Sequence, residues 1–533
     1  MQGGSSPSVI VVSLLNTCLG AGIVSSAAAF KSQGLLLGFL TNIFYLVLSY
    51  YSFIWLIEAG LHRRKLSFQS LCQDVFPTKK WASRGLNMTI LLFAWFCILS
   101  YSVLISTSVP NLLAWIFGPQ VHSYFWGSSE FALFAISLTV LLPLGCCKTV
   151  GALSYASSCA IFVVLYLALF GITAFFKTIL SDFSVISPNV DPQGVVLFRF
   201  STFFVGLGLY GFAYGAHFSC FGLWKSLKDK SVKLFRKVIL VGFLVIGITI
   251  TIIGVCFYFV IGDAVRGNFL EALDEASVWV FIGNFLIFVL VTVSYPVLLL
   301  FVRDSIADQF FKPVYTSHPK IIEATNPIDS VPEIIQTSRV RAISRTSSVS
   351  SFQEFDEEFS LSESDRLTDS TDDFDGPRLS DVEVELHDSK PDTIVDIDDD
   401  ILIKPIPDAA EDQADVAIDV ADAFGLNKEE ENGEVKNIEV TGSDKLNTRQ
   451  RISISISIVA STLLIGLLIP DVLIVFGISG SLLASIIVFV FPAAVRLCCG
   501  LPVSRRLRTL CIMSLVTGIT TALVGTVQAI MDL

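Results

Sequence analysis

Long apolar runs alternate with short polar segments along most of the chain. Eleven of these runs are long enough, at about 20 residues each, to cross a bilayer as helices. They lie near residues 9–30, 34–58, 86–108, 129–147, 152–176, 195–222, 237–261, 277–302, 452–470, 472–498 and 508–530. The pattern predicts an all-α polytopic membrane protein with eleven transmembrane helices.

The charges of the connecting segments predict an orientation for these spans. Short cytoplasmic loops of membrane proteins collect Lys and Arg. Basic residues are concentrated after the second, sixth and tenth runs, at 63–84, 225–237 and 505–508. The N-terminus is therefore predicted to be cytoplasmic and the C-terminus extracytoplasmic. The compartment stays open between the plasma membrane and a vacuolar or lysosomal membrane.

One segment interrupts the apolar pattern. Residues 303–450 contain 36 Asp and Glu but only 14 Lys and Arg, and so acidic a composition cannot bury enough apolar surface to fold alone. We therefore predict three parts: spans one to eight in 1–303, an acidic disordered cytoplasmic loop in 304–450, and spans nine to eleven in 451–533.

The acidic loop also contains a short basic motif. Ser344, Ser347 and Ser348 lie among arginines in the sequence Arg-Ala-Ile-Ser-Arg-Thr-Ser-Ser at 341–348. Basophilic kinases accept serines in such a context, and a phosphate there would add negative charge. A kinase is therefore one candidate partner, and a solvated linker with chance serines is the alternative.

The composition restricts the class of function. Hydrophobic residues make up 53% of the chain and charged residues 16%, which a soluble protein of this length could not accommodate. The predicted spans contain no metalloprotease, nucleophile-elbow or phosphate-loop motif. We expect a protein that is not an enzyme, has no catalytic residues and no cofactor apart from a coupling ion, contacts membrane lipid and binds no nucleic acid.

The first apolar run contains an unusual polar stretch. Asn16 is followed by Gly20, Ala21 and Gly22 at a depth where a membrane helix normally has neither polar residues nor glycine pairs. An interrupted helix would expose N–H groups that can hold a carboxylate, and the Asn16 carboxamide oxygen could coordinate Na+. A hydrogen bond between helices is the alternative role for Asn16.

Two later runs carry further candidates. Phe212 and His217 lie in the glycine-rich sixth run, where they could contact a substrate, although a membrane His more often makes a structural hydrogen bond. Thr292 and Ser294 precede Pro296 in the eighth run and offer oxygen ligands for a monovalent cation. Ser and Thr often bond to their own helix instead.

Glycine-interrupted runs five positions apart, the first and the sixth, are what two inverted five-helix repeats would produce. Close helix packing is the other explanation for the glycines.

Taken in order, these motifs resemble the amino acid/auxin permease family, and in particular its sodium-coupled neutral amino acid transporter branch. The similar segments are Asn-Thr-Cys-Leu-Gly-Ala-Gly-Ile at 16–23, Phe-Ala-Tyr-Gly-Ala-His at 212–217, Val-Thr-Val-Ser-Tyr-Pro at 291–296, and 469–492. The chain has Ser25 and Ser26 where many members of that family have proline.

The resemblance implies a LeuT-like fold with a 5+5 inverted repeat plus one extra helix. It implies that Gly20, Ala21, Gly22, Phe212 and His217 bind substrate. A Na+ site is implied at Asn16 with Thr292 or Ser294.

The expected function is secondary active transport of a small neutral amino acid, inward or outward, coupled to Na+ or H+ by alternating access. An amino-acid-sensing receptor or scaffold that signals through the acidic loop is the alternative.

Overall fold

The computed structural model describes residues 5–20, 22–147, 153–180, 194–311, 314–317, 437–440, 445–469 and 471–531. All of these belong to one compact unit. Ala21, the three candidate phosphorylation sites and most of the predicted acidic loop lie outside the described residues.

The described part of the chain is built almost entirely of helices, which confirms the all-α polytopic prediction. The first twelve are α1 (Pro7–Leu19), α2 (Ser26–Gln33), α3 (Leu35–His62), α4 (Phe68–Val75), α5 (Lys80–Phe117), α6 (Ser129–Ile136), α7 (Leu142–Cys146), α8 (Leu153–Leu180), α9 (Phe203–Ala213), α10 (Cys220–Ser226), α11 (Val232–Ile261) and α12 (Val278–Phe310). The last five are α13 (Thr448–Leu468), α14 (Val472–Ile478), α15 (Phe491–Cys498), α16 (Arg505–Thr520) and α17 (Thr526–Met531).

Several of these helices join into longer ones through π-helical turns. Such turns connect α6 to α7, α14 to α15 and α16 to α17. Counting joined helices once, the described residues contain nine continuous segments that are long and apolar enough to cross a membrane.

The first and sixth predicted spans are not among these nine, because each is interrupted. In the first region α1 ends at Leu19 and α2 starts at Ser26; in the sixth, α9 ends at Ala213 and α10 starts at Cys220. A count of eleven requires each pair to cross the membrane as one unit, which stays a prediction. Two interrupted regions five spans apart are the arrangement that the 5+5 repeat requires.

The two interruptions lie against each other. A Cβ atom on Gly22 would lie 2.9 Å from the Cα of Ala213 and 2.8 Å from the carbonyl oxygen of Cys18. Only a glycine allows the link between α1 and α2 to approach the end of α9 so closely.

Other glycines of the sixth region serve close packing. A Cβ on Gly211 would lie 2.8 Å from the carbonyl oxygen of Gly480, and a Cβ on Gly480 would overlap the carbonyl oxygen of Gly208. The α9 helix therefore contacts the π-helical turn after α14 almost backbone to backbone. The two explanations considered for the glycines, interrupted spans of an inverted repeat and close helix packing, therefore apply at different positions.

Helix α3 supports the sixth region from the other side. Tyr45 and Tyr210 each donate a hydrogen bond across this interface to a backbone carbonyl oxygen. Two side-chain pairs also connect α3 to the link between α9 and α10. The hydrogen-bonded pairs are Tyr210–Gly38, Tyr45–Leu207, Tyr214–Asn42 and His217–Ser52. The α3 residues of these pairs are spaced three, four and seven residues apart, so they lie on one face of the helix. This face of α3 contacts α9 and then the link that follows it.

Two short strands are the departure from all-α structure among the described residues. β1 (Val314–Ser317) and β2 (Asn437–Val440) pair antiparallel, with Val314 opposite Val440. Helix α12 reaches Phe310, eight residues beyond the predicted end of the eighth span at 302. The two ends of the acidic segment are thus held together near the ends of α12 and α13.

The segment between α11 and α12 covers one end of the bundle. Phe269 and Leu270 are fully buried there. Lys31 Nζ donates to the Val265 carbonyl oxygen over 2.8 Å, and Asn268 Nδ2 donates to Thr107 Oγ1 over 3.4 Å. The segment therefore ties α2 to α5 at this end of the molecule.

Glu271 lies in the same segment, and its ionisation makes the packing of the segment sensitive to pH. Burial, followed by the repulsion of Asp471, raises the pKa of this carboxyl from 4.5 to about 7, while Thr107 and Arg266 oppose the rise. Between pH 4.5 and 7 the folded protein then binds more protons than the unfolded chain, so this group's contribution to stability falls as pH rises.

We expect Glu271→Gln to flatten this dependence. The melting temperature of the wild-type protein should fall relative to that of Glu271→Gln between pH 5 and pH 7.5, measured in the same detergent. The exposed Glu130 at the start of α6 gives the matched control, Glu130→Gln, which should follow the wild type. Parallel curves for wild type and Glu271→Gln would contradict the assignment.

Candidate functional site

A cavity of about 970 Å³ lies where α1, α5, α12 and the interrupted sixth region meet. It extends from the two interruptions to Ser5 and Ser226, at the start of α1 and the end of α10. Among the described residues that line it, none is charged. Of the residues predicted from the sequence, the cavity brings together Asn16, Gly22, Phe212 and Ser294.

The predicted ion ligands carry buried oxygens without partners. Asn16 Oδ1, Ser294 Oγ and Thr292 Oγ1 are all inaccessible to solvent and have no hydrogen-bond partner among the described residues. By contrast, Thr17 Oγ1 donates to its own helix, at Ser13 O over 2.8 Å. A buried polar group without a partner costs about 1–3 kcal/mol. Other buried hydroxyls, such as those of Ser108 and Ser481, are in the same state, so these three oxygens are candidate ion ligands.

The two hydroxyls on α12 are not equivalent. Ser294 lines the cavity together with Asn16, whereas Thr292, about half a turn earlier in the helix, is not among the lining residues. The Tyr101 hydroxyl lies within interaction range of Ser294. Ser294 is therefore the better partner for Asn16 in a shared site.

Two serines hold the link between α1 and α2. Ser25 Oγ donates to the Gly22 carbonyl oxygen over 2.9 Å, and Ser26 Oγ donates to the Ile23 carbonyl oxygen over 2.8 Å. These two carbonyl oxygens of the link therefore already accept hydrogen bonds from the serine hydroxyls. At the start of α2, Ser26 N donates to the Ile23 carbonyl oxygen over 3.3 Å, whereas the following N–H groups of the first turn have no acceptor within the helix.

The structure does not bring His217 to the cavity. Its ring is fully buried, with Nε2 2.8 Å from Ser52 Oγ, and it packs against Phe53 and Phe243. In this structure His217 makes a structural contact, which fixes the link after α9 to α3, and its substrate contact stays a prediction. The sequence could not show towards which neighbour a residue of this short link points.

The second polar anchor of this link is Asn42. It accepts a 2.7 Å hydrogen bond from the Tyr214 hydroxyl and donates to the Gly247 carbonyl oxygen and to Thr251 Oγ1, over 2.9 and 2.8 Å. One buried side chain thereby joins α3, the link and α11. The position of the link relative to the cavity depends on this network.

The sequence analysis missed one wall of the cavity. Phe93, Cys97 and Tyr101 all line it from α5, and their spacing of four residues places them on one helix face. The Tyr101 hydroxyl lies 2.5 Å from the position of a Cβ on Gly20, so it touches the first interruption. The spacing was visible in the sequence, but nothing there distinguished this face of a uniformly apolar span.

The chain is similar to several known proteins. A family model described as "Transmembrane amino acid transporter protein" matches residues 3–531. A putative sodium-coupled neutral amino acid transporter 11 from Rattus norvegicus is 23% identical over 313 residues, which are 58% of this chain and 66% of that protein. Vacuolar amino acid transporter 7 from Saccharomyces cerevisiae is 24% identical over 302 residues, covering 56% and 58%.

The matched region therefore spans 66% and 58% of the length of these two curated relatives. Among solved structures, MhsT in complex with L-phenylalanine matches with a TM-score of 0.39 and 13% identity, covering 58% of this chain and 75% of that one.

Proposed function

The chain belongs to the transmembrane amino acid transporter family, and from this premise we propose that it is a secondary active transporter of neutral amino acids. The observation that carries the proposal is the set of partnerless oxygens beside an uncharged cavity between two interrupted helices. Such a cavity can hold a zwitterion and an ion together. Since the family is one of transporters, an enzymatic role is set aside.

The substrate's two charges would be bound by different parts of the site. The Gly20 N–H already donates to the Asn16 carbonyl oxygen over 3.2 Å, so the N–H groups that follow it in the first interruption suit the carboxylate. The start of α2 adds the partial positive charge of a helix N-terminus. The carbonyls of the link near Phe212 suit the ammonium group. A charged substrate side chain would find no counter-charge on the described residues that line the cavity, and burying it unpaired is costly.

We propose Na+ as the coupling ion, held by Asn16 Oδ1, Ser294 Oγ and backbone carbonyls of the first interruption. Neutral oxygen ligands suit a hard monovalent cation. No carboxylate or imidazole belongs to the described lining of the cavity, so a proton carrier beside the substrate is lacking there. Thr292 would coordinate Na+ only after a rotation of α12.

Alternating access would move the segments that flank the cavity. The α3 contacts through Asn42 and His217 keep the sixth-region link in place on one side. The segment containing Glu271, which closes one end of the bundle, would have to separate from α2 and α5 for the cavity to open there. The predicted orientation makes that end extracytoplasmic.

Reconstitution tests the proposal directly. The purified full chain in liposomes should accumulate labelled neutral amino acids when an inward Na+ gradient is imposed. Replacing Na+ by choline should stop accumulation, and a pH step should not restore it. Equal uptake under all three conditions would exclude ion coupling. Ligand-dependent thermal stabilisation without any uptake would favour the receptor or scaffold instead.

A further inference from the structure

One wall of the cavity consists of phenylalanine rings from different elements. Phe93 of α5 meets Phe212 of α9 at a ring-centroid distance of 5.9 Å and Phe218 of the link at 6.1 Å. Phe218 in turn meets Phe301 of α12 at 5.1 Å. All four residues line the cavity, and edge-to-face and tilted contacts at these distances are favourable for aromatic rings.

The rings lie at a defined distance from the polar end of the site. Tyr101 and Phe93 are eight residues apart on the cavity face of α5, which is about 12 Å along a helix. The Tyr101 hydroxyl touches Gly20 at the first interruption, whereas Phe93 Cζ lies 2.5 Å from the position of a Cβ on Gly215 at the second. The site thus changes from polar to aromatic over the length of one large amino acid.

We propose that Phe93, Phe212 and Phe218 form the subsite for the substrate's side chain, and that the preferred substrates are neutral amino acids with large apolar or aromatic side chains. This rests on the proposed function and departs from the small substrate expected from the sequence. With its carboxylate at the first interruption, a phenylalanine or leucine places its side chain against these rings, whereas alanine leaves the subsite filled only by water.

The selectivity of the wild-type protein is the first test. Uptake of labelled L-leucine into proteoliposomes should be inhibited by L-phenylalanine at about 10- to 100-fold lower concentration than by L-alanine, the range expected from burying a large apolar side chain. L-lysine should not compete. Equal or stronger competition by L-alanine or L-lysine would overturn the subsite and leave amino acid transport standing.

The second test changes the subsite itself. Phe93→Ala should reduce the preference for L-phenylalanine over L-alanine by about 10-fold, mainly through KM for the large substrate, and Phe93→Leu should retain an intermediate preference. The matched control is Phe96→Ala, on the same helix but outside the cavity lining. A preference that Phe93→Ala and Phe93→Leu leave unchanged would contradict the proposal.

A binding measurement separates the subsite from transport. L-phenylalanine should raise the melting temperature of the purified wild-type protein more than L-alanine does at equal concentration, with Na+ present. If this difference is found without uptake, the transport proposal fails and the subsite stands. If uptake occurs and the difference is absent or reversed, the subsite fails. Should Phe93→Ala not fold, Phe218→Ala replaces it in both measurements.

Discussion

Asn16→Ala is expected to raise the Na+ concentration needed for half-maximal uptake by about 10- to 100-fold. Contacts between a polar group and a charge contribute about 1.5–3 kcal/mol, and each 1.4 kcal/mol is a factor of ten in affinity. The Asn16 side-chain oxygen is buried without a partner, so its removal takes away an ion ligand and breaks no hydrogen bond of that oxygen in the protein. The measurement is initial uptake against Na+ concentration in proteoliposomes.

The α12 hydroxyls make this prediction more specific. Ser294→Ala should produce a shift similar to that of Asn16→Ala, and the near-isosteric Thr292→Val a smaller one, because only Ser294 shares the cavity with Asn16. Ser106→Ala is the matched control, since that buried hydroxyl already donates to Val103 O over 2.7 Å. A Na+ dependence that is the same in Asn16→Ala, Ser294→Ala and wild type would exclude this site.

The sequence was most informative where residues conflicted with their surroundings. Asn16 and the glycines that follow it stood out because a polar residue and flexible backbone are costly inside an apolar helix. The structure indeed interrupts the helix there. The same reasoning located the sixth-region interruption from its glycines, although Gly208 and Gly211 proved to pack against Gly480.

The wall formed by α5 could not be recognised in this way. Phe93, Cys97 and Tyr101 are ordinary residues for a membrane helix, and only the neighbouring helices determine that this face borders a cavity rather than lipid. The neighbours of His217 could not be predicted for a related reason. A residue in a short link lacks the long helical periodicity that indicates its direction, so its contact with Ser52 required the three-dimensional structure.

Gly20→Ala is expected to reduce the maximal rate of uptake by about 10- to 100-fold, in line with the 1–3 kcal/mol that overpacking costs. Its Cβ would lie 2.5 Å from the Tyr101 hydroxyl, while the nearest ring carbon, Cζ, is at 3.5 Å, an ordinary contact distance. Removing only the hydroxyl should therefore relieve the clash. Uptake by Gly20→Ala with Tyr101→Phe should exceed uptake by Gly20→Ala alone.

Gly22→Ala provides the contrast that identifies the cause. Its Cβ would meet backbone atoms, the Cys18 carbonyl oxygen at 2.8 Å and the Ala213 Cα at 2.9 Å, which no side-chain substitution can remove. Tyr101→Phe should therefore rescue Gly20→Ala and leave Gly22→Ala inactive. A double-mutant cycle on uptake rates, normalised to the amount of reconstituted protein, measures the coupling. Independent effects of Gly20→Ala and Tyr101→Phe would show that the hydroxyl does not limit the space at the first interruption.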